Sequence, residues 1–379
     1  MTEDAIELLR QSPVISRWTF LNHAARSPPF NVSIAAFDRF LKLAEKMEHP
    51  NEEIKDTRRL FGELLGVSAE DIALIPNVAS SLSIVAGIDY SAGSNVVTYM
   101  NDFPSNVYTC FNLERMKKGV TVRRVPDVDG VISPETIAEY VDAKTRLILI
   151  SHVQWISGFQ IDLEEIIKIA HEVDAVLALD IMQSVGMLDL DFEKYPVDIA
   201  AGGVAKWLLG PTQVGFLYVR KERLEEISSV AVGHTGAPYE GDDLSPSWDI
   251  SKLNLWSDVR KFQVGSTADI VYYAARPCIK LLLNYGMDRV EKRILELRKY
   301  LVEKILDLGS KFGINSPLDV GSSGIINVKI PGDAAVAVSK LKDKNIVVSA
   351  RGGGIRVAPH FYNTEEEIEK FTSSLNDIY

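Results

Sequence analysis

The 379-residue sequence has little cysteine and no long apolar run. Cys110 and Cys278 are too few for a disulfide framework and lack metal-site spacing, so we expect no metal. No apolar stretch approaches the roughly 20 residues that a membrane helix needs. The opening MTEDAIELLRQSP has neither the basic start nor the apolar core of a secretory signal. We therefore expect a cytoplasmic protein without membrane contact.

Positive charge is also in deficit. Lysine and arginine total 41 against 52 aspartate and glutamate residues, which gives a formal net charge of −11. Such a balance argues against a nucleic-acid-binding surface. It leaves room for an anionic ligand, because a local pocket can be positive in an acidic protein.

Short apolar runs alternate with amphipathic stretches from about residue 58 to residue 220. Strands that are apolar at nearly every position and separated by helices indicate a parallel sheet covered on both faces. We therefore predict an α/β domain. Its candidate strands are residues 94–99, 146–153, 175–181 and 214–219.

The C-terminal part has a different pattern. One or two long helices are predicted over residues 272–308, with a break at Gly286. A strand at 324–330, a helix and two strands, IVVSA and GIRVA, around a glycine triplet then predict a small α+β unit. The last helix begins at the capping-box pair Thr364 and Glu367. The predicted domains are residues 15–283, and residues 284–379 with residues 1–14 packed against them.

Lys206 lies in the apolar segment AAGGVAKWLLGPTQVGFLYV, and Asp180 ends an apolar strand 26 positions earlier. One interpretation is a structural ion pair. The other is pyridoxal phosphate chemistry, in which a lysine forms a Schiff base and an acid keeps the pyridine nitrogen protonated. The two residues alone leave both interpretations open.

A longer stretch favours the second interpretation. The segment ALDIMQSVGMLDLDFEKYPVDIAAGGVAKWLLGPTQVGFLYVR resembles the core of class V aminotransferases, which also include cysteine desulfurases, kynureninases and isopenicillin N epimerases. Four other segments of this chain resemble the same family: LNHAARSPP, DFPSNVY, SHVQWISGFQIDL and GIRVAPHFYNTEEE. The resemblance covers nearly the whole chain. It implies fold type I, with a large domain whose mainly parallel sheet lies between helices and a small C-terminal α+β domain.

The resemblance also implies roles for individual residues. Lys206 would form the Schiff base, Asp180 would pair with the pyridinium nitrogen, and Gln183 would approach the phenolic oxygen of the cofactor. Phe103 would stack on its ring. The phosphate would bind the backbone amides of Asn77, Val78 and Ala79, the hydroxyl of Ser80, and Ser266 or Thr267 of a partner subunit in a homodimer.

The substrate side is implied in the same way. Arg356 would clamp the α-carboxylate of an amino acid with two parallel hydrogen bonds. Asn22 and His23 would lie near the cleft mouth, with His23 as a candidate second acid, and Trp155 would lie beside the cofactor. Desulfurases carry a catalytic cysteine on a loop that precedes the position of Arg356. Here that interval holds only residues 352–355, without cysteine, so desulfuration is disfavoured.

The sequence departs from the family pattern at two positions near Lys206. Gly203 and Ala205 stand where relatives commonly have serine and histidine that help bind phosphate, so phosphate binding would depend more on the backbone.

We expect an aminotransferase for a small amino acid and a keto acid. The alternatives are an isopenicillin N epimerase-like racemase or epimerase, a kynureninase-like enzyme or β-lyase, and a non-catalytic scaffold. A dinucleotide-binding oxidoreductase is disfavoured, because no G-x-G-x-x-G motif follows an early strand.

Overall fold

The computed structural model describes residues 2–128, 130–241, 245–319 and 321–379. The strands are β1 Thr19–Phe20, β2 Ile72–Leu74, β3 Asn95–Tyr99, β4 Thr121–Val125, β5 Thr145–Ser151, β6 Val176–Asp180, β7 Ile199–Gly203, β8 Gly215–Val219, β9 Gly313–Ile314, β10 Ile326–Lys329, β11 Ile346–Val347, β12 Ser349–Arg351 and β13 Gly354–Val357. The α-helices are α1 Thr2–Arg10, α2 Asn31–Ala44, α3 Asn51–Lys55, α4 Thr57–Leu65, α5 Val78–Leu82, α6 Pro104–Met116, α7 Pro134–Ala138, α8 Leu163–Glu172, α9 Asp269–Tyr285, α10 Met287–Asp307, α11 Ala334–Asp343 and α12 Glu365–Ile378.

A seven-stranded sheet in the order β2-β8-β7-β6-β5-β3-β4 organises the first part of the described chain. Strands β7, β6, β5, β3 and β4 run parallel, which confirms the predicted parallel sheet. Strands β3, β5 and β6 match candidate strands, whereas β4 and β7 were not predicted. The expectation of a parallel strand at 214–219 was wrong, because β8 is antiparallel to both β7 and β2. The physical reason is the short connection between β7 and β8, which contains Lys206. A parallel pair needs a crossover of a dozen or more residues.

Both faces of this sheet are covered. Alternate residues of β5 and β6 belong to two different apolar clusters, with Ile148 and Leu177 in one and Leu147 and Val176 in the other. Side chains of successive strand residues point to opposite faces, so near-continuous apolar strands require protein on both sides. The carboxyl ends of the strands therefore remain the open edge at which side chains can meet a ligand.

The C-terminal part forms a four-stranded antiparallel sheet in the order β12-β13-β10-β9. The stretch IVVSA, expected to be one strand, is divided: β11 leaves to pair with β1 in parallel, and only β12 joins the sheet. The predicted capping box of Thr364 and Glu367 at the start of α12 is confirmed. The predicted helix break is confirmed at Gly286, whose φ of 99° separates α9 from α10.

The N-terminal segment joins the two parts of the chain. Helix α1 contacts α2 and α9, and Arg10 donates a hydrogen bond to the carbonyl oxygen of Tyr362 at 3.3 Å. The domain boundary between residues 283 and 284 falls in the last turn of α9 and stays a prediction. No helix in the described part of the chain is long and apolar enough to cross a membrane.

Candidate active site

The site lies at the carboxyl edge of the main sheet. Asp180 is the last residue of β6 and pairs in register with Ser151, the last residue of β5. Phe103 precedes α6 on the neighbouring side, and Lys206 lies in the connection from β7 to β8. The sheet topology therefore brings together residues that are far apart in sequence, at the edge where open α/β sheets bind their ligands.

Lys206 is half-buried. Its Nζ lies 5.6 Å from the centroid of the Phe103 ring, and it forms no ion pair with any residue that the structure describes. Burial lowers the pKa of Lys206 to about 8; Asp180 acts in the opposite direction, whereas Arg356 lowers the pKa further. A lysine amine with such a pKa is neutral often enough to act as a nucleophile near neutral pH.

Asp180 is buried, and its Oδ1 accepts a hydrogen bond from the amide of Met182 at 2.9 Å. Burial raises the pKa of Asp180, and this effect is opposed by the Met182 amide, by Lys206 and by Asn106. The carboxylate thus has donors that favour its charged form, as a partner of a protonated ring nitrogen requires.

Arg356 and Trp155 adjoin Phe103. The Trp155 ring packs edge-on against Phe103 with centroids 5.7 Å apart, and its carbonyl oxygen accepts from Arg356 Nη1 at 2.7 Å. Arg356 is only 2% exposed, and its Nε has no hydrogen-bond partner within the described ranges. Burial and the nearby Arg351 lower the pKa of Arg356 to about 10. An under-satisfied buried guanidinium favours an anionic ligand.

The predicted phosphate segment begins the short helix α5. The Asn77 side chain caps this helix by accepting from the Ser80 amide at 2.9 Å. The amides of Val78 and Ala79 donate to no residue in the described chain, so both stay available to a ligand. Ser80 and Ser266 line one cavity of about 340 Å³, and the Thr267 hydroxyl donates to Asp269 at 2.8 Å.

Gln183 is buried, and Asn22 is half-buried. Gln183 Oε1 accepts from the indole of Trp207 at 2.9 Å, and its Nε2 donates to the Ala24 carbonyl at 3.0 Å. One N–H of this amide remains for a ligand. The Oδ1 atom of Asn22 is buried and has no hydrogen-bond partner among the described residues. The backbone of Asn22 forms an isolated parallel β-bridge with Ala358.

His23 does not lie at the cleft mouth, and this expectation was wrong. The ring is fully buried; its Nδ1 donates to the carbonyl of Lys206 at 3.4 Å and its Nε2 accepts from the Tyr362 hydroxyl at 2.6 Å. His360 similarly donates from Nε2 to the Trp207 carbonyl at 2.8 Å. The two imidazoles, neutral because burial lowers both pKa values, hold consecutive carbonyls of the lysine-bearing loop.

The departure at Gly203 has a structural counterpart. A Cβ atom at this position would lie 2.7 Å from Met182 Cε and 3.1 Å from the Val214 carbonyl oxygen. Met182 therefore occupies the space that a side chain at position 203 would need. The absence of a side chain at Gly203 and the presence of Met182 are therefore sterically matched in this chain.

The sequence analysis missed a buried polar group beside Asp180. Asp102 accepts from the amide of Phe103 and from both the amide and the hydroxyl of Ser151. Asn106 donates to the same Ser151 hydroxyl. Asp102 and Asn106 belong to the motif DFPSNVY, and Ser151 begins the motif SHVQWISGFQIDL. Their position in these motifs, beside the predicted site residues, could have indicated that they lie near the site.

These residues fit pyridoxal phosphate. The site contains a half-buried lysine amine, an aromatic ring beside it, a carboxylate with a hydrogen-bond donor, two free amides at a helix start and an under-satisfied arginine. These groups match an aldehyde, a ring, a ring nitrogen, a phosphate and a carboxylate respectively. The structure gives the positions of the predicted site residues, and the individual roles stay predictions.

Comparison with known proteins identifies the family. The family model described as aminotransferase class-V matches residues 39–371. The uncharacterized aminotransferase YcbU of Bacillus subtilis is 30% identical over 345 residues, covering 89% of this chain and 88% of that protein. A probable cysteine desulfurase of Methanothermobacter thermautotrophicus is 26% identical over 368 residues, covering 92% and 87%. Isopenicillin N epimerase of Streptomyces clavuligerus is 26% identical over 333 residues, covering 85% and 83%.

A solved structure agrees with the predicted fold. The complex of the cystine C-S lyase C-DES with cysteine persulfide superposes with a TM-score of 0.86 at 22% identity, covering 97% of this chain and 99% of that one. The prediction of fold type I is thereby confirmed. Since the family model spans most of the sequence, the chain belongs to the class V aminotransferases and is a pyridoxal phosphate-dependent enzyme.

Proposed function

We propose that the enzyme is an aminotransferase that acts on a small amino acid through Lys206. The single observation that carries this proposal is the arrangement around that residue: an amine with its pKa lowered to about 8 lies beside Phe103 and under the influence of both Asp180 and Arg356. The four groups supply attachment, stacking, ring protonation and substrate binding in one place.

Lys206, Asp180 and Arg356 would each have a separate role in this reaction. Bound pyridoxal phosphate supplies an electron sink that makes the Cα–H bond of an attached amino acid acidic. Arg356 binds the α-carboxylate, which fixes the amino acid relative to Lys206. The neutral amine of Lys206 would accept the Cα proton and serve as the proton donor for the return step. Asp180 keeps the pyridine nitrogen protonated. With the substrate held by Arg356 and the proton carried by Lys206, the bound cofactor would supply the transfer of an amino group from an amino acid to a keto acid.

The hairpin between β12 and β13 supports this reaction over desulfuration. Arg351 pairs directly with Gly354, so Gly352 and Gly353 alone form the turn, both with positive φ. This turn leaves no room for a cysteine-bearing loop before Arg356. Cys110 and Cys278 are buried, and burial raises the pKa of each thiol to about 12. Neither supplies the accessible thiolate that sulfur abstraction needs.

The position of His23 favours transamination over epimerisation. An epimerase needs a second acid that faces Cα from the side opposite Lys206, and His23 was the candidate from sequence. Both of its ring nitrogens are instead committed to the Lys206 carbonyl and the Tyr362 hydroxyl. Burial also lowers its pKa well below the ordinary value, so the ring is neutral and its one N–H is already used by the Lys206 carbonyl.

A homodimer is part of the proposal. Ser266 and Thr267 of one subunit would complete the phosphate site of the other. Both residues lie in a segment that lines a cavity of about 490 Å³ with Trp248 and Trp256. Nearby Ile250 and Leu253 are 96% and 72% exposed, and such exposed apolar side chains favour a subunit interface.

Visible absorbance with pyridoxal phosphate tests the proposal. We expect the wild-type protein to develop a cofactor band that Lys206→Ala loses and that Lys168→Ala keeps, since Lys168 is exposed on α8. An amino acid from a panel should then convert the cofactor to pyridoxamine phosphate and release its keto acid. Loss of α-deuterium from the substrate without keto acid would instead indicate epimerase-type chemistry. A protein without a cofactor band at saturating pyridoxal phosphate would be a non-catalytic scaffold.

A further inference from the structure

A second cavity, of about 320 Å³, lies outside the candidate active site. Its wall comes from four parts of the chain: the segment between β5 and α8, the first turn of α8, the segment between β6 and β7, and helix α10. The predicted site residues take no part in this wall. The volume falls within the range of roughly 300–1,000 Å³ that small-molecule sites occupy.

Five carboxylates line this space, which we call the acidic cavity. They belong to Asp162, Glu164, Asp189, Asp191 and Glu291. Burial and the charges of Asp288 and Asp191 raise the pKa of Asp189. Burial and the charge of Asp189 raise the pKa of Glu291, although the Asp189 amide donates to Glu291 Oε2 at 2.7 Å and acts against the shift. The carboxylates therefore repel one another, and none of the five forms an ion pair with a residue in the described ranges.

His152 gives an independent indication of a ligand. Its side chain lines the acidic cavity, although the residue is only 2% exposed. Nδ1 of the ring is buried without a partner, and Nε2 forms no hydrogen bond with any residue that the structure describes. Burial lowers the pKa of His152 to about 4, so the ring is uncharged at neutral pH and has one acceptor nitrogen. Buried polar groups are nearly always hydrogen-bonded, so this ring lacks a partner that the cavity has room to supply.

The arrangement of these groups favours an organic cation over a metal ion. Calcium and magnesium need several oxygen ligands at about 2.0–2.6 Å from one point. Within the described part of the chain, no three histidine, cysteine, aspartate or glutamate side chains converge in that way. A linear amine has separate ammonium groups that donate to separate carboxylates. An uncharged imidazole nitrogen accepts from an ammonium group as well.

The neighbouring lysines leave the acidic cavity negative. Tyr195 is the main cause that raises the pKa of Lys194, to which Glu164 and Asp191 contribute, and Lys194 Nζ lies 4.7 Å from the centroid of the Tyr195 ring. Lys168 pairs with Glu165, whose side chain is not part of the wall. Five carboxylates thus face the single charge of Lys194.

We propose that the acidic cavity binds a linear organic polyamine, with two or more ammonium groups joined by methylene chains. The ammonium groups donate to the carboxylates of Asp162 and Glu291 and to the ring of His152. The side chains of Phe192 and Tyr195 supply apolar surface for the methylene groups. This site is separate from the one at Lys206, so the inference holds for any reaction that the enzyme performs.

Titration calorimetry with spermidine tests the proposal on the full chain loaded with pyridoxal phosphate. We expect saturable binding of one molecule per chain at low ionic strength, where ion pairs are least screened. Butylamine, which has one ammonium group, should bind about tenfold more weakly or less tightly still. The visible band of the cofactor should stay unchanged along the titration, because the amine binds outside the active site.

Three conservative variants locate the bound amine. Asp162→Asn keeps an N-cap for α8, where Asp162 Oδ1 accepts from the Glu165 amide at 3.2 Å. Glu291→Gln keeps an acceptor for the Asp189 amide. Each should weaken spermidine binding about three- to fivefold, as the loss of a partly exposed ion pair does. His152→Leu should weaken binding by a similar factor without lowering the unfolding temperature, since the ring has no hydrogen bond to lose within the described chain.

Glu165→Gln is the matched control. Glu165 follows Glu164 on α8 and pairs with Lys168 at 3.8 Å, outside the wall of the acidic cavity. The variant removes the same charge from the same helix. The affinity for spermidine should therefore change by less than about twofold.

The opposite results overturn the proposal. Equal losses in Glu165→Gln and Glu291→Gln would show a diffuse attraction to an acidic surface. Butylamine that binds as tightly as spermidine, or Mg²⁺ that displaces spermidine at equal concentration, would exclude a polyamine site. A cofactor band that changes along the binding curve would place the amine at Lys206. If Asp162→Asn does not fold, Glu291→Gln and His152→Leu decide, and unchanged affinity in both overturns the assignment.

Discussion

Burial of Lys206 predicts that its amine reacts at a pH where an ordinary lysine is almost wholly protonated. Its pKa of about 8 leaves roughly one tenth of the amine neutral at pH 7. The same lysine in the unfolded chain, with an ordinary pKa near 10.5, is neutral in about 0.03% of molecules. Folding should therefore raise the rate of reaction with an aldehyde or an acylating reagent about 300-fold at pH 7, if access is equal.

The assay measures labelling of Lys206 in cofactor-free protein. A small amine-reactive reagent is applied for short times between pH 6 and pH 11, and the peptide with Lys206 is quantified by mass spectrometry. The denatured protein serves as the reference for the same side chain. Because only the neutral amine reacts, the rate should rise with pH and level off above a midpoint near 8 in the folded protein.

Two variants should move this midpoint in opposite directions. Asp180→Asn removes a negative charge that raises the pKa of Lys206, so the midpoint should fall. Arg356→Gln removes a positive charge that lowers it, so the midpoint should rise. A folded-state midpoint within about half a unit of the denatured one would refute the burial argument. Shifts of the same sign in both variants would refute the electrostatic part.

Further predictions concern binding and stability. Arg356→Lys should raise KM for the amino acid about 10- to 100-fold, because a lysine cannot replace two parallel hydrogen bonds. The affinity for the cofactor should change little. Steady-state kinetics measures KM, and a cofactor titration measures the affinity. His360→Leu should lower the unfolding free energy by about 1–3 kcal/mol through the unpaired Trp207 carbonyl, and His360→Gln should recover part of it in urea titrations. Gly203→Ser should lower the unfolding temperature, and adding Met182→Ala should restore it by vacating the contested space.

Several elements followed from local pattern. The parallel strands β3, β5 and β6, the break at Gly286 and the capping box at Thr364 were predicted, because apolar periodicity and terminal residues act over a few positions. Strands β4 and β7 were not predicted. The direction of β8 was mispredicted, since an apolar strand looks the same in either direction and only the length of the preceding connection discriminates. The departure of β11 from the small sheet likewise depends on its distant partner β1.

For the site, too, some features were predictable from the sequence and others depended on the fold. The sequence by itself determined the family, hence the expected cofactor, and the prediction that Lys206, Asp180 and Arg356 act together. Only the tertiary structure decided that His23 is buried against the carbonyl of Lys206 and that Asp102 accepts hydrogen bonds from Ser151. A motif specifies which side chain occurs at a position. Burial, hydrogen-bond direction and pKa depend on neighbours supplied by strands and loops that are distant in sequence.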